Sequence, residues 1–183
     1  MTTLVLCRHA HPARSGETAA LARALRATRL AAVYTSPLER AGATAAVVAQ
    51  EHGLVPVIVD DLREIDFGDV DGLGFDDFPK ELQDSLVREP TSVRFPGGES
   101  YAVLKRRVRN AMDEIVAAHP HETVAVVTHA GVIRAALATW LRIPDEAVFR
   151  IDQRHASVNV VDWVDGIPIA RLVNGSPDSA PLR

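Results

Sequence analysis

The sequence predicts an α/β fold built on a mixed, mostly parallel sheet. Short apolar runs bounded by turn residues are typical of buried strands, and they alternate with alanine- and leucine-rich stretches whose apolar spacing suits helices packed on a sheet. Near the C-terminal end, strand candidates 158–163 and 167–172 flank Asp165-Gly166, a dipeptide suited to a tight hairpin turn. The 183 residues, 47% of them apolar, suffice for one domain with a substantial core.

The predicted elements alternate from the N-terminus onward. Their order is strand 4–7, helix 17–27, strand 31–34, helix 38–50, strand 55–59, helix 100–118 and strand 124–127. We expect a single domain over residues 1–173, in which 60–98 forms an irregular excursion over the active-site end with one helix near 78–88. The last stretch, 174–183, is rich in Ser, Pro and Gly and is expected to be a flexible tail.

Composition argues against several classes of partner. Twenty basic and 24 acidic residues give a formal charge of -4, without the basic excess with which nucleic-acid binders engage phosphate backbones. The sequence contains neither a run of about 18 apolar residues nor a recognisable leader, so neither a membrane span nor secretion is expected. Cys7, the single cysteine, suggests a thiol in a reducing compartment. The expected location is the cytoplasm, and the oligomeric state stays open, with a homodimer as one option.

Ligands of open α/β sheets bind at the carboxyl ends of strands, where helix N-termini meet. The first strand runs directly into Arg8 and His9. A guanidinium beside an imidazole at such an exit can hold a phosphate bidentately while the imidazole attacks or protonates it. The alternative is that the strand simply ends here and that Arg8 and His9 are surface charges.

The second strand is followed by Ser36, Pro37 and Glu39, a pattern that predicts a capping box with Ser36 as N-cap. Arg40 then falls in the first helical turn, where a cation is unfavourable unless an anion offsets it. We expect Arg40 to contact a ligand, the alternative being an ion pair with a nearby carboxylate.

The run 124–127 ends at Thr128-His129-Ala130-Gly131, whose small residues leave room for an oxyanion at a helix start. His129 alone is typical of a structural residue. Two histidines and two arginines at strand exits nevertheless predict one anion site.

The segment after the third strand carries Glu64 between apolar residues, a setting suited to a general acid. We interpret Asp69 and Asp71 as solvated. Calcium is not expected, because Phe67 and Phe78 occupy positions where an EF-hand loop needs oxygen ligands. Zinc at His9 with His11, or at His119 with His121, is not expected either, and the second pair should lie at the opposite edge of the sheet.

Taken in order, four motifs resemble the histidine phosphatase superfamily, the phosphoglycerate-mutase-like proteins. The motifs are Leu-Cys-Arg8-His9-Ala, Thr-Ser36-Pro-Leu-Glu-Arg40-Ala-Gly-Ala-Thr44-Ala, Leu-Arg-Glu64-Ile-Asp-Phe-Gly and Thr128-His129-Ala-Gly, with Pro96-Gly97-Gly98-Glu99-Ser100 between the last two. The segments around Glu64 and Glu99 are most similar to the alpha-ribazole phosphatase and broad-specificity branch. The resemblance implies a three-layer α/β/α sandwich.

The same resemblance implies a metal-independent phosphatase without a cofactor, acting on a small phosphorylated molecule. His9 would be the nucleophile that takes the phosphoryl group, and Glu64 the proton donor to the leaving oxygen. Arg8, Arg40 and His129 would bind the phosphate. Ala10 replaces the family's usual glycine and His11-Pro12 follows it; His11 and Arg14 are candidates for the substrate entrance, and Ser15 is given no phosphate role.

Two other functions remain open. A phosphoglycerate mutase would return the phosphoryl group to a bound product, but mutase relatives are generally longer than 183 residues. A non-catalytic phosphate-binding domain would not need both His9 and Glu64, and both are present. The physiological substrate cannot be read from a phosphate cradle.

Overall fold

The structure, a computed structural model, describes residues 1–179, in which six strands form a mixed sheet. The strands are β1 (Thr2–Arg8), β2 (Ala32–Thr35), β3 (Val57–Ile58), β4 (Thr123–Thr128), β5 (Val158–Val164) and β6 (Ile167–Gly175). Their spatial order is β3-β2-β4-β1-β5-β6. The first four strands are parallel, and β5 is antiparallel to both of its neighbours. The predicted mixed, mostly parallel sheet is confirmed.

The described part of the chain has five helices, and four of them cover the two faces of the sheet. The five are α1 (Ser15–Leu25), α2 (Glu39–Gln50), α3 (Lys80–Arg88), α4 (Tyr101–Ala118) and α5 (Ala130–Trp140), and all but α3 pack on the sheet. In β1, Leu4 and Leu6 pack in one core with α4 and α5, whereas Val5 and Cys7 pack in the other with α1 and α2. This alternation follows from the two-residue period of a strand, and it gives the expected α/β/α sandwich. Within residues 1–179, none of the helices combines the length and apolarity needed to cross a lipid bilayer.

The antiparallel edge is the hairpin of β5 and β6. Asp165 and Gly166 both have positive φ, +52° and +80°, as a two-residue type I′ turn requires. Strand β6 continues two residues past the expected domain end at 173, since Gly175 pairs with Val158 of β5. Next to this pair, the Asn174 amide donates to Oδ1 of Asn159 at 2.8 Å. A 3-10 turn follows at Pro177–Ser179, and the remainder of the expected tail, 180–183, lies outside the described residues.

The predicted capping box before α2 is wrong. The helix begins at Glu39, with Leu38 as its N-cap residue and no side-chain cap. The Ser36 hydroxyl instead accepts from the Leu38 amide at 3.2 Å and pairs with Nε2 of His129 at 2.7 Å. Arg40 is nevertheless in the first turn of the helix, as expected.

The irregular segment 60–98 combines 3-10 turns at Asp60–Leu62, Gly68–Val70 and Phe75–Asp77 with α3. It has a small apolar core of its own, formed by Val70, Leu82, Val93 and Phe95. Partly buried Ile65, Phe67, Phe78 and Leu86 pack against this core. The segment that contains Glu64, the candidate acid, therefore has an apolar core of its own.

Candidate active site

His9 and His129 directly follow two adjacent strands, β1 and β4. Arg8 at the end of β1 is in register with Thr128 at the end of β4, and the His9 amide donates to the Thr128 carbonyl at 2.9 Å. Both histidines follow directly, and their ring centroids are 5.1 Å apart. The two histidines that the sequence places at strand exits therefore lie at one site.

The hydrogen bonding of His9 fixes its tautomer. Nδ1 lies 2.9 Å from the Ala10 carbonyl oxygen, which can only accept, so Nδ1 carries the proton and Nε2 keeps its lone pair. Burial, together with the cations of Arg40 and Arg8, lowers the pKa of His9 to about 4, although the bond to Ala10 acts in the opposite sense. A neutral imidazole with a free Nε2 can attack an electrophile.

Arg8 is held by two acceptors. Its Nη1 donates to the Gln153 carbonyl at 2.6 Å and its Nη2 donates to Nε2 of His155 at 2.9 Å. Since a guanidinium only donates, His155 must be neutral there, and burial together with Arg8 lowers the pKa of His155. Nε of Arg8 is buried and has no hydrogen-bond partner among residues 1–179. An anion in the site would supply that partner.

His129 presents a second unpaired polar atom. Its Nε2 is bonded to the Ser36 hydroxyl, whereas its buried Nδ1 has no partner in the described part of the chain. Burial and then Arg40 lower the pKa of His129 to about 3. His129 is also the N-cap residue of α5, so a ligand here meets the positive end of a helix.

Arg40 is the second cation of the site, after Arg8. It is exposed at the start of α2, it forms no ion pair with a carboxylate of residues 1–179, and its charge acts on both His9 and His129. Thr44, one turn further on, accepts from the Ala10 amide at 3.1 Å and donates to the Arg40 carbonyl at 3.0 Å. This hydroxyl joins the loop after His9 to the turn that carries Arg40.

Glu64 reaches the same helix start from the irregular segment. Its Oε1 accepts from the Ile65 amide at 3.0 Å and its Oε2 from the Gly131 amide at 3.2 Å. Gly131 is two residues beyond His129, and the charge of Glu64 acts on Arg8, so the carboxylate borders the anion site. A side chain at position 131 would overlap Oε1, which makes this glycine a requirement for the position of Glu64.

A buried ion pair that the sequence analysis missed holds the backbone of Glu64. Arg107 bonds both carboxylate oxygens of Glu99, at 2.8 and 2.7 Å, and donates to the carbonyls of Asp61, Arg63 and Glu64 at 2.6, 2.8 and 3.1 Å. Oε2 of Glu99 also accepts from the Asp66 amide. The spacing of Leu104, Arg107 and Ala111 places Arg107 on the apolar face of α4. A charged residue on such a face indicates a buried ion pair, so this contact could have been predicted from the sequence.

The remaining candidates are more peripheral. The His11 ring lies 5.0 Å from the His155 ring, and exposed Arg14 pairs with Glu17 at 3.3 Å. His119 and His121 lie at the start of β1, where His119 accepts from Thr2 through its carbonyl and the His121 amide donates to the Thr2 hydroxyl. That is the end opposite Arg8, as expected. Within residues 1–179, no three side chains of the His, Cys, Asp and Glu types are arranged to hold a metal.

Comparison with known proteins bears on the fold and the family of this chain. A family model of the histidine phosphatase superfamily (branch 1) matches residues 15–175. The bifunctional protein Rv2228c of Mycobacterium tuberculosis is 38% identical over 149 residues, 79% of this chain and 41% of that protein, so the chain spans about two fifths of that relative's length. Phosphoserine phosphatase 1 of Hydrogenobacter thermophilus is 31% identical over 144 residues, 77% of this chain and 68% of that protein.

Solved structures share the fold of this chain. YhfR of Bacillus stearothermophilus superposes with a TM-score of 0.87 and 26% identity, over 96% of this chain and 98% of the other. The family match begins after Arg8 and His9, so the placement of these two rests on the geometry described above. A match over 15–175, together with the shared fold, leads to one conclusion: the chain belongs to the histidine phosphatase superfamily, branch 1.

Proposed function

We propose that this protein is a phosphatase that hydrolyses a small-molecule phosphate monoester through a phosphohistidine at His9. The observation that carries the proposal is the state of the His9 ring. Nδ1 is held by the Ala10 carbonyl, and Nε2 keeps a free lone pair beside Arg8, Arg40 and His129. A neutral imidazole beside the guanidinium groups of Arg8 and Arg40 is suited to attack a phosphate that these cations and the neutral His129 ring hold.

The first step transfers the phosphoryl group. Nε2 of His9 forms a bond to phosphorus while the bond from phosphorus to the alcohol oxygen breaks, and the acid form of Glu64 donates its proton to that oxygen. Nε of Arg8 and Nδ1 of His129 are two of the four buried side-chain atoms that have no partner in the described chain, and the phosphate oxygens are their proposed partners. Each charge-assisted hydrogen bond would contribute ~1.5–3 kcal/mol, and those that strengthen in the transition state lower the barrier.

The second step returns the enzyme to its starting state. Water attacks the phosphorus, the bond to Nε2 breaks, and the carboxylate of Glu64 accepts the proton that the water loses. Inorganic phosphate leaves, and His9 is neutral again. The sum is phosphate monoester plus water to alcohol plus phosphate, with no metal or cofactor assigned a role. The buried Cys7 thiol is in keeping with a cytoplasmic location, which we include in the proposal.

Covalent labelling tests the nucleophile. With excess chelator, the enzyme should release phosphate from para-nitrophenyl phosphate and, after a rapid acid-free quench, carry a phosphoryl group that is stable in base and labile in acid. His9→Ala should lose both, while His121→Ala, at the other end of β1, keeps them. Turnover by His9→Ala would remove His9 from the role, and interconversion of phosphoglycerates in place of phosphate release would favour a mutase.

A further inference from the structure

An apolar cavity of about 220 Å³ adjoins the candidate acid. Glu64 and Gly131 form one side of it. The rest of the lining comes from the irregular segment, from α4 and α5, and from the turn after α5. It includes Ile65, Phe67, Phe78, Leu86, Tyr101 and Phe149. The cavity therefore borders the residue that would protonate the leaving group.

The position of Glu64 restricts where a leaving group can lie. A general acid must be within ~2.6–3.2 Å of the oxygen that it protonates. The carbon attached to that oxygen therefore starts beside the Glu64 carboxyl, and the rest of the alcohol must occupy space that borders Glu64. In the described part of the chain, Glu64 lines both the apolar cavity and a groove of about 230 Å³ whose lining includes Arg40, Arg63, Asp66 and Asp71.

The chemistry of the two spaces differs. The groove carries charges of both signs, with Arg40 and Arg63 beside Asp66 and Asp71, so it suits a polar or charged substituent. The cavity has two polar groups besides Glu64. Arg134 is its cation, with Nε donating to the Ile151 carbonyl at 2.7 Å and the guanidinium 6.0 Å from the centroid of the Phe149 ring, and the Tyr101 hydroxyl is buried without a partner in the described chain. The other side chains of the lining are apolar. A charged ammonium or carboxylate would lose its hydration against the phenylalanine walls, which is costly unless it is paired.

We propose that the preferred substrate is the phosphate ester of an apolar alcohol whose aryl or branched alkyl group fills this cavity. The proposal rests on the proposed function, because it uses Glu64 as the proton donor. Drug-sized ligands occupy pockets of ~300–1,000 Å³, so a cavity of about 220 Å³ suits a group of one or two rings. Burial of such a group against aromatic side chains favours it over a polar group of similar size.

The test compares alkyl esters whose leaving alcohols are of similar reactivity, so that binding alone separates them. We expect kcat/KM for 2-phenylethyl phosphate to exceed that for phosphoserine and for ethanolamine phosphate by roughly 10- to 100-fold, the range that burying one phenyl group provides. Equal values, or a preference for phosphoserine or 3-phosphoglycerate, would overturn the proposal while leaving the phosphatase intact. No turnover of any ester would overturn the proposed function and this proposal with it.

A matched pair of variants tests the cavity itself. Phe149 and Phe75 are 53% and 47% exposed, so either can be replaced at little cost to the core, but only Phe149 lines the cavity. Phe149→Ser should lower the preference for 2-phenylethyl phosphate over ethanolamine phosphate about 5- to 10-fold, and Phe75→Ser should leave the preference unchanged. An unchanged preference in Phe149→Ser, or an equal loss in both, would overturn the assignment of this cavity to the leaving group.

Discussion

The carboxylate of Glu64 fills the space that a side chain at position 131 would occupy, and its Oε2 accepts a hydrogen bond from the Gly131 amide at 3.2 Å. Gly131→Ala should therefore displace Glu64 and lower kcat for an alkyl phosphate at least 10-fold. Gly42→Ala is the control, because position 42 lies in α2 with open space around it. That variant should keep full activity and gain up to about 1 kcal/mol of stability. Full activity in Gly131→Ala would show that Glu64 does not need its present position.

The buried pair of Arg107 and Glu99 predicts a large loss of stability when it is broken. Arg107→Ala would leave the Glu99 carboxylate buried without its cation, and it would free the three carbonyls that Arg107 binds. We expect the free energy of unfolding to fall by about 3–5 kcal/mol in urea titrations.

Arg109→Ala is the matched control on the same helix. Arg109 is 64% exposed and pairs with Asp113 at 3.7 Å, so its loss should cost less than about 1 kcal/mol. Similar losses in the two variants would contradict a structural role for the buried pair.

Much of this site could be predicted from the sequence, because it depends on two apolar strands. Strands β1 and β4 are buried runs that end in Arg8-His9 and Thr128-His129, and parallel neighbours bring such endings together. Residue spacing could not predict the start of α2, because Ser36 is bonded to His129, a residue 93 positions away. A local capping pattern cannot indicate that a side chain is hydrogen-bonded to a residue so distant in the sequence.

His155 was missed for a topological reason. The sequence analysis examined residues that follow strands, whereas His155 precedes one. Strand β5 is antiparallel to β1, with Val158 opposite Cys7, so the residues before β5 lie at the carboxyl end of β1. An antiparallel strand in a mostly parallel sheet thus brings its N-terminal flank to the ligand edge, and the predicted hairpin at Asp165-Gly166 already implied such a strand.

The bond between Arg8 and His155 predicts a positioning role for His155. His155→Leu would remove the acceptor of Nη2 and leave the Gln153 carbonyl as the remaining acceptor of Arg8 in the described chain. We expect the inhibition constant of inorganic phosphate to rise about 10-fold, a loss comparable to one hydrogen bond from a charged donor.

His155→Gln, which keeps an acceptor, should recover part of that affinity, and a merely structural role would show no such recovery. The measurement is competitive inhibition by phosphate at constant pH, which does not depend on the chemical step. Unchanged inhibition in His155→Leu would remove His155 from the positioning of Arg8.

The lowered pKa values predict how stability depends on pH. Burial lowers the pKa of His9 to about 4 and that of His129 to about 3, from an ordinary 6.5. Below about pH 6.5 the unfolded chain binds protons that the folded protein does not, so the free energy of unfolding falls as the pH is lowered. Each of the two histidines should contribute a loss of about 2 kcal/mol between pH 7 and pH 5.

Urea titrations of the protein and of His9→Gln at these two pH values test this coupling. The variant lacks one titrating group, so its loss between pH 7 and pH 5 should be smaller by about 2 kcal/mol. If the two proteins lost stability equally, His9 would not be buried in the neutral form.

The proposed role of Glu64 predicts a loss that depends on the leaving group. Glu64→Gln keeps the size of the side chain and can still meet the Gly131 amide through its carbonyl oxygen, but it cannot donate a carboxylic proton. A nitrophenolate leaves without protonation, whereas an alkoxide does not. We therefore expect kcat/KM to fall by ~10²–10⁴-fold for an alkyl phosphate and by much less for para-nitrophenyl phosphate. The ratio of the two losses isolates proton transfer from phosphate binding, since both esters carry the same phosphoryl group. Equal losses would assign Glu64 to binding or to the helix start of α5, and another group would then have to protonate the leaving oxygen.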